Sequence, residues 1–271
     1  MPSHYVPEAA FLIGLDTLLC FLAHFRKVGT RMPFFVAFVD FMLASTVFDA
    51  LLIWKFGFHS AAVYYGFWIS YALVLLARSG ATVELCRNCL RAYPGIWALA
   101  WRLFGLMALG LLAHAAWDAG GQPHWIAAYV LTLERDINIS TFLILAAMLM
   151  MSHYYRIRLE RFQQWIAFGI CFYCVTAFAN SSVLRDLLLP LFPAGPSMLS
   201  RMNEVNEISN LVDIAASGLT LGTWSLLLLR PLPEPAAEPA LLPAEVYAEM
   251  SPMVNLQLRE LNDRIVEMLR S

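Results

Sequence analysis

The residues best placed to do chemistry form a polar stripe along the last apolar stretch of the chain. They recur at spacings of 3, 4, 3, 4 and 3 residues and are Asn203, Asn206, Asn210, Asp213, Ser217 and Thr220. This spacing puts all of them on one face of an α-helix. An unpaired polar group is costly in hydrocarbon, so the stripe is expected to face other helices or water. Because Asp213 is ionisable, we favour the wall of a solute cavity, with plain interhelical hydrogen bonding as the alternative.

Polar side chains on other apolar stretches could complete this cavity in the outer half of the membrane. We predict one ligand site from these residues: Asp49, His114, Glu134, Arg135, Asn138, Tyr173, Asn180, Asn206, Glu207, Asn210 and Asp213. Arg135 is the one cation among them, and a buried arginine requires a carboxylate partner. The sequence leaves open whether Arg135 belongs to a structural ion pair or to a ligand or proton site. No catalytic residue is predicted.

Four histidines at the ends of apolar stretches permit a haem hypothesis. His24 and His153 lie near the predicted inner boundary, and His59 and His114 lie near the outer one. A b-type haem in a helical bundle needs imidazoles from facing helices at the same depth. Amphipathic side chains also favour interfaces without any ligand. No cofactor is therefore predicted, and haem is kept as an alternative.

The remaining reactive residues match no familiar site. Two Cys-x-x-Cys pairs, Cys86/Cys89 and Cys171/Cys174, fall at different depths, so we expect buried apolar thiols rather than a metal site. The sequence contains no P-loop, zinc-protease or serine-hydrolase motif. The only lysines, Lys27 and Lys55, lie at the ends of apolar stretches, which excludes a retinal Schiff base inside the membrane. An enzymatic activity is not expected.

Seven apolar stretches must position these side chains. A helix needs about 20 residues to cross about 30 Å of hydrocarbon, and each stretch reaches or nearly reaches that length. They cover residues 9–25, 34–54, 61–77, 96–117, 125–151, 165–183 and 208–229. We predict an all-α, multi-pass membrane protein built as a seven-helix transmembrane bundle.

The composition supports this class. Hydrophobic residues make up 60% of the chain and charged residues only 14%, against about 25% charged residues in soluble proteins. The formal net charge of −2 indicates no nucleic-acid partner. The expected partners are the lipid bilayer, a small solute and other helices, and the expected location is a plasma or inner membrane.

The distribution of basic residues predicts the orientation. Alternate loops divide the arginines and lysines into one set of eleven, which includes Arg78 at the end of the third stretch, and one set of four. Because basic residues are retained on the cytoplasmic side, the larger set marks the inner surface. The amino terminus is predicted outside and the carboxyl terminus inside.

The chain after the bundle has two parts. Residues 1–230 form the predicted transmembrane domain, 231–243 a proline-rich linker, and 244–271 a cytoplasmic amphipathic, coiled-coil-like helix. Apolar residues recur in that helix at spacings of 4, 3, 4 and 3 and are Val254, Leu258, Leu261, Ile265 and Met268. This seam is typical of a helix that forms a homodimer or binds a cytoplasmic partner. A helix on the membrane surface and a frayed tail are the alternatives.

Together these features predict a sensor or receptor-like bundle that binds a small polar or cationic solute in an outward-facing polar interior. A secondary transporter or proton-coupled permease is the main alternative. A b-type haem electron-transfer protein and a ligand-free membrane scaffold are two further ones. The sequence contains no motif that separates these classes.

Overall fold

The computed structural model describes residues 5–57, 60–91, 93–154, 159–182, 198–230 and 254–270. Within these ranges the regular structure is entirely helical, which confirms the predicted all-α class. The helices are α1 (Tyr5–Phe25), α2 (Pro33–Phe56), α3 (Ala61–Cys89), α4 (Pro94–Ala119), α5 (Trp125–Tyr154), α6 (Arg161–Ala179), α7 (Met198–Leu229) and α8 (Val254–Arg270). A short 3₁₀ turn at Val28–Thr30 connects α1 to α2.

Each predicted apolar stretch overlaps one of the helices α1 to α7. Among the described residues, six helical segments are long and apolar enough to cross a membrane: Pro33–Phe56, Ala61–Cys89, Pro94–Ala119, Trp125–Tyr154, Arg161–Ser182 and Glu207–Leu229. The apolar part of α1, Ala10–Phe25, is shorter. The molecule therefore has the composition of a membrane protein with six to seven apolar helices. The proline-rich linker at 231–243 lies outside the described residues.

Local sequence explains where several helices begin and end. Pro33 and Pro94 occupy the first turns of α2 and α4, where a missing N–H removes no helical hydrogen bond. The Ser60 hydroxyl accepts a hydrogen bond from the Val63 N–H and caps α3. Gly57 ends α2 with a φ of 76°, a conformation that glycine adopts without a Cβ clash.

Six of the helices form a closed ring. Around it, α1 packs on α2, α2 on α3, α3 on α5, α5 on α6, α6 on α7, and α7 on α1. Helix α3 also touches α6 across the ring. Helix α4 lies outside, packed on α5 and on α8. The interior of the ring is therefore lined by helices that are distant in the sequence.

The end of the ring where α2 begins and α7 ends is the predicted inner end, and an aromatic cluster packs it. Phe35 on α2 lies edge-on to Trp224 at 5.3 Å and to Phe162 at 6.4 Å. The Glu84 carboxylate on α3 accepts a hydrogen bond from the Phe35 N–H at 2.9 Å. That bond satisfies a donor in the first turn of α2, where a helix dipole favours an anion.

Two arginines in the connection between α1 and α2 hold the same end of the ring. Arg26 donates to the carbonyl oxygens of Leu228 at 3.1 Å and Leu229 at 2.8 Å, the last residues of α7. Arg31 lies 3.4 Å from the Glu160 carboxylate, next to the start of α6. The Arg26 contacts satisfy the last backbone carbonyls of α7, and the two arginines together join the end of α1 to α6 and α7.

The carboxyl-terminal helix docks on the beginning of α4. The Asn262 side-chain oxygen accepts a hydrogen bond from the Gly95 N–H at 2.8 Å, and Ile265 is buried. Leu261 and Met268 are exposed, and the side chains of Val254 and Leu258 lie outside the described residues. Part of the apolar seam is thus used within the chain, and self-association through the rest stays a prediction.

Candidate functional site

The interior of the ring holds Arg78, which lies on α3 and is only 5% exposed. Its Nη2 donates to the Asn138 side-chain oxygen on α5. Its guanidinium carbon lies 5.1 Å from the centre of the Tyr173 ring on α6, a cation–π contact. Its Nε is buried and has no hydrogen-bond partner among the described residues. A buried cation with an unused donor is energetically costly, so the site has capacity for one more acceptor.

Arg78 forms part of the wall of a cavity of about 80 Å³. The wall comes from α2, α3, α6 and α7 and consists of Phe38, Met42, Tyr71, Val74, Leu75, Arg78, Ile170, Tyr173, Ser217, Thr220, Leu221 and Trp224. One water needs about 10–15 Å³ of such space, so the cavity holds several waters or a small solute. Mostly aromatic and aliphatic walls with a few polar groups are typical of small-molecule sites.

Trp224 closes the cavity against the aromatic cluster. Its ring lies 5.3 Å from that of Phe35 and 6.4 Å from that of Phe38, edge-on in both cases. The indole nitrogen lies against Gly169 on α6, where a Cβ would stand, and has no hydrogen-bond partner among the described residues. Gly169 therefore allows the indole to pack directly on the α6 backbone.

The charge near Arg78 is only partly balanced. Glu134 on α5 lies close enough to interact electrostatically with both Arg78 and Tyr71. Within the described chain, however, Arg78 forms no ion pair at 4.0 Å or less. The guanidinium beside the cavity therefore has no described carboxylate within 4.0 Å, and Glu134 lies farther away than that.

Three residues of the predicted ligand site surround Arg78, and one of them, Tyr173, lies in the cavity wall. Asn138 is 1% exposed and accepts from Arg78, Tyr173 lies beneath the guanidinium, and Glu134 lies nearby. The polar stripe contributes Ser217 and Thr220 to the cavity wall. The cavity beside these residues includes Trp224 of the aromatic cluster in its wall, so it reaches toward the predicted inner end of the ring.

The other described residues of the polar stripe, among them Asp213, are not in the wall of the Arg78 cavity. Asn180 is buried directly after the end of α6 and donates to Asp213 Oδ1 at 2.7 Å and to the Ser209 carbonyl at 3.0 Å. These bonds join α6 to α7. Glu207 and Asn210 are exposed and are not in the wall of the Arg78 cavity, and the side chain of Asn206 lies outside the described residues.

Three other predicted ligand residues have partners of their own. His114 on α4 contacts Asp136, and Arg135 lies 3.7 Å from the same carboxylate, its neighbour on α5. Asp49 on α2 accepts from the Ser70 hydroxyl on α3 at 3.0 Å. His114, Arg135 and Asp49 are therefore separate from the Arg78 cavity and contribute contacts outside it.

The histidines and cysteines are placed as follows. His59 lies outside the described residues, His114 contacts Asp136, His24 lies 3.5 Å from Asp40, and His153 is exposed near the end of α5. Haem binding stays a prediction, which a Soret band of the purified protein would test. The two cysteine pairs, Cys86/Cys89 and Cys171/Cys174, are buried thiols, as predicted.

No family model, curated protein or solved structure matches this chain. The assignment of the site therefore depends on the geometry of its own residues.

The sequence interpretation counted Arg78 among the basic residues of the inner boundary, and the structure shows that its side chain is buried inside the ring. Helix α3 continues to Cys89 and packs on α5 and α6, which buries Arg78. Removing it from the basic set leaves ten residues against four, so the predicted orientation is unchanged. The missed signal for this burial is the position of Ala81 and Leu85, which follow Arg78 by three and seven residues and therefore share its face of the helix.

Proposed function

We propose that this protein is a membrane-embedded binding protein of the sensor or receptor type, whose central cavity takes a small solute through Arg78. The observation that carries the proposal is the buried Arg78 Nε, which lacks a hydrogen-bond partner among the described residues while its side chain lines the cavity. A ligand acceptor at this position would satisfy a donor that now costs stability.

The same geometry indicates the class of solute. A guanidinium binds carboxylates through two parallel hydrogen bonds and repels cations. The aromatic and aliphatic walls suit an apolar body. We therefore propose a small carboxylate or similar oxyanion with an apolar group, in place of the polar or cationic solute that the sequence suggested.

A continuous set of helix contacts supports a sensor role. Asn138, the hydrogen-bond partner of Arg78, belongs to α5, which packs on α4. Helix α4 in turn holds α8 through Gly95 and Asn262. A ligand that changes the Arg78–Asn138 contact could thus bias the docking of α8. Spatial continuity motivates this coupling, and a measured response of α8 to ligand is needed to establish it.

Thermal unfolding of the full-length protein in detergent or nanodiscs tests the binding proposal. The probes are sodium acetate, butyrate and benzoate, with sodium chloride at equal ionic strength as the control. A ligand at 100 times its Kd stabilises the folded state by about 2.7 kcal/mol. We expect stabilisation by at least one carboxylate in the wild type, and its loss in Arg78→Gln.

Arg135→Gln is the matched control, because it removes an arginine from the neighbouring helix α5 and leaves the cavity wall intact. Arg78→Lys keeps the charge but loses the planar fork, so it should weaken carboxylate binding. An equal carboxylate response in wild type and Arg78→Gln, or a response to organic cations alone, would contradict the proposal. Carboxylate uptake by liposomes that contain the protein would instead support the transporter alternative.

A further inference from the structure

A second group of reactive side chains lies between α1 and α2, apart from the Arg78 cavity. Asp16, Cys20 and His24 follow one another at intervals of four residues and share one face of α1. Asp40 on α2 lies opposite them. We call Cys20, His24 and Asp40 the donor cluster. It combines a thiol, an imidazole and a carboxylate, the three side chains that zinc sites use.

The ligand atoms of the donor cluster are already close together. Cys20 Sγ donates to Asp40 Oδ1 at 3.1 Å, and His24 Nε2 lies 3.5 Å from Asp40 Oδ2. One ligand atom from each residue lies within 4.8 Å of the other two. With metal bonds of about 2.0–2.3 Å, neighbouring ligand atoms in a tetrahedral zinc site are about 3.3–3.7 Å apart. Small side-chain movements would therefore complete three corners of such a site.

The imidazole of His24 is oriented in the way that metal-binding histidines usually are. Its Nδ1 lies 3.0 Å from the backbone carbonyl oxygen of Cys20, one helical turn earlier. A proton on Nδ1 donates to this carbonyl and leaves the Nε2 lone pair directed at the side of Asp40. Backbone carbonyls that hold one imidazole nitrogen in this way are a common outer partner in metal sites.

Asp16 provides an independent reason to expect a cation here. It is only 5% exposed, and its Oδ1 has no hydrogen-bond partner among the described residues. The carboxyl group lies close enough to Cys20 to interact with it electrostatically. A buried carboxylate without a partner is unfavourable, and a cation in the donor cluster would offset its charge.

We propose that Cys20, His24 and Asp40 bind one divalent transition-metal ion of the zinc class, with Asp16 as an outer carboxylate. Binding releases the Cys20 thiol proton to solvent, so the thiolate becomes the ligand. The sulfur and nitrogen ligands select against Mg²⁺ and Ca²⁺, which prefer oxygen. The half-exposed side chains of His24 and Asp40 leave one coordination position open to water or an exchangeable ligand.

Titration of the full-length protein with Co²⁺ tests this site directly, because a cobalt–thiolate bond gives a charge-transfer absorption that oxygen and nitrogen ligands do not. We expect one equivalent of Co²⁺ to produce this band and Zn²⁺ to abolish it by displacement. Cys20→Ser should remove the band. His24→Gln and Asp40→Asn should weaken binding by more than the about 10–100-fold typical of a lost outer partner.

His153→Gln is the control for the imidazole, because His153 is another exposed histidine, near the end of α5. Cys171→Ser is the control for the thiol, since Cys171 is buried away from the donor cluster. Both should keep the thiolate band. A band that persists in Cys20→Ser, or cobalt binding without any thiolate band, would overturn the proposal.

A second measurement needs no variant that could fail to fold. Mass spectrometry after brief alkylation reports each cysteine separately, and Cys20 is the only partly exposed one among the five. We expect Zn²⁺ to slow alkylation of Cys20 at least tenfold, as about 10% or less of the thiol remains free once Zn²⁺ exceeds about ten times its Kd. Mg²⁺ should have no effect. Equal alkylation with and without Zn²⁺ would contradict the site.

Discussion

Two polar regions of the bundle differ in the charge of the buried group that lacks a hydrogen-bond partner among the described residues, which is the neutral amide oxygen of Asn180 in the predicted outer region and the cationic Arg78 Nε in the central one. In the predicted outer region, Asp136 contacts His114 and Arg135, and Asn180 donates to Asp213. In the central region, Arg78 has one side-chain acceptor, Asn138, and a buried Nε that no described residue satisfies. Paired side chains such as Asn180 and Asp213 are typical of contacts that join helices. An unused donor on a buried cation costs more than an unused neutral amide oxygen, and for this reason the central region is the one that points to a ligand.

The largest expected effect comes from removing the acceptor that holds Arg78. Asn138→Ala leaves the guanidinium without its one side-chain hydrogen bond, and hydrogen bonds to charged groups contribute about 1.5–3 kcal/mol. We expect the free energy of unfolding to fall by about 2–3 kcal/mol, measured by denaturant titration in a constant detergent. Asn210→Ala is the matched control at an exposed asparagine and should change stability by less than about 0.5 kcal/mol. Equal losses in both variants would remove the distinction between the two regions.

A smaller effect is expected from filling the space beneath Trp224. In Gly169→Ala the new Cβ meets the indole nitrogen, so Trp224 must move toward the cavity. Overpacking of this kind costs about 1–3 kcal/mol, and we expect the lower half of that range because helix propensity favours alanine. A shift in tryptophan fluorescence would report the movement.

Gly222→Ala on α7 is the control for this substitution, because a Cβ there has nothing within 4 Å. It should leave both stability and fluorescence close to those of the wild type. A Gly169→Ala variant that is as stable as Gly222→Ala and equally unchanged in fluorescence would show that the indole does not pack as described.

The smallest effect is expected in the outer region. The His114 side chain is 54% exposed, and ion pairs of this kind contribute about 0.2–1 kcal/mol. A double-mutant cycle with His114→Gln and Asp136→Asn should therefore give a coupling energy below about 1 kcal/mol. A coupling energy above that of the Arg78–Asn138 pair would reverse the assignment of the two regions.

The location of the helices could be predicted closely because it depends on a property of the chain itself. The seven stretches were located from the lengths of the apolar runs in the sequence. Pro33, Ser60 and Pro94 mark the beginnings of α2, α3 and α4. The donors and acceptors of the candidate site were partly foreseen as well, since Asn138 and Tyr173 were identified as polar groups inside apolar stretches. The burial of Arg78, the charged group that joins them, was not foreseen.

Periodicity and hydropathy describe one helix at a time, so they established which segments are helical and which faces are polar. They carry no information on which helices become neighbours. Helices α3 and α4 are both apolar enough to cross a membrane. In the most apolar stretch of α3, 44% of the residues are buried, whereas in that of α4 none are. That difference arises because α3 packs between α2, α5 and α6 while α4 lies outside the ring. Long-range packing therefore converts Arg78 from an apparent boundary residue into a buried cation beside a cavity.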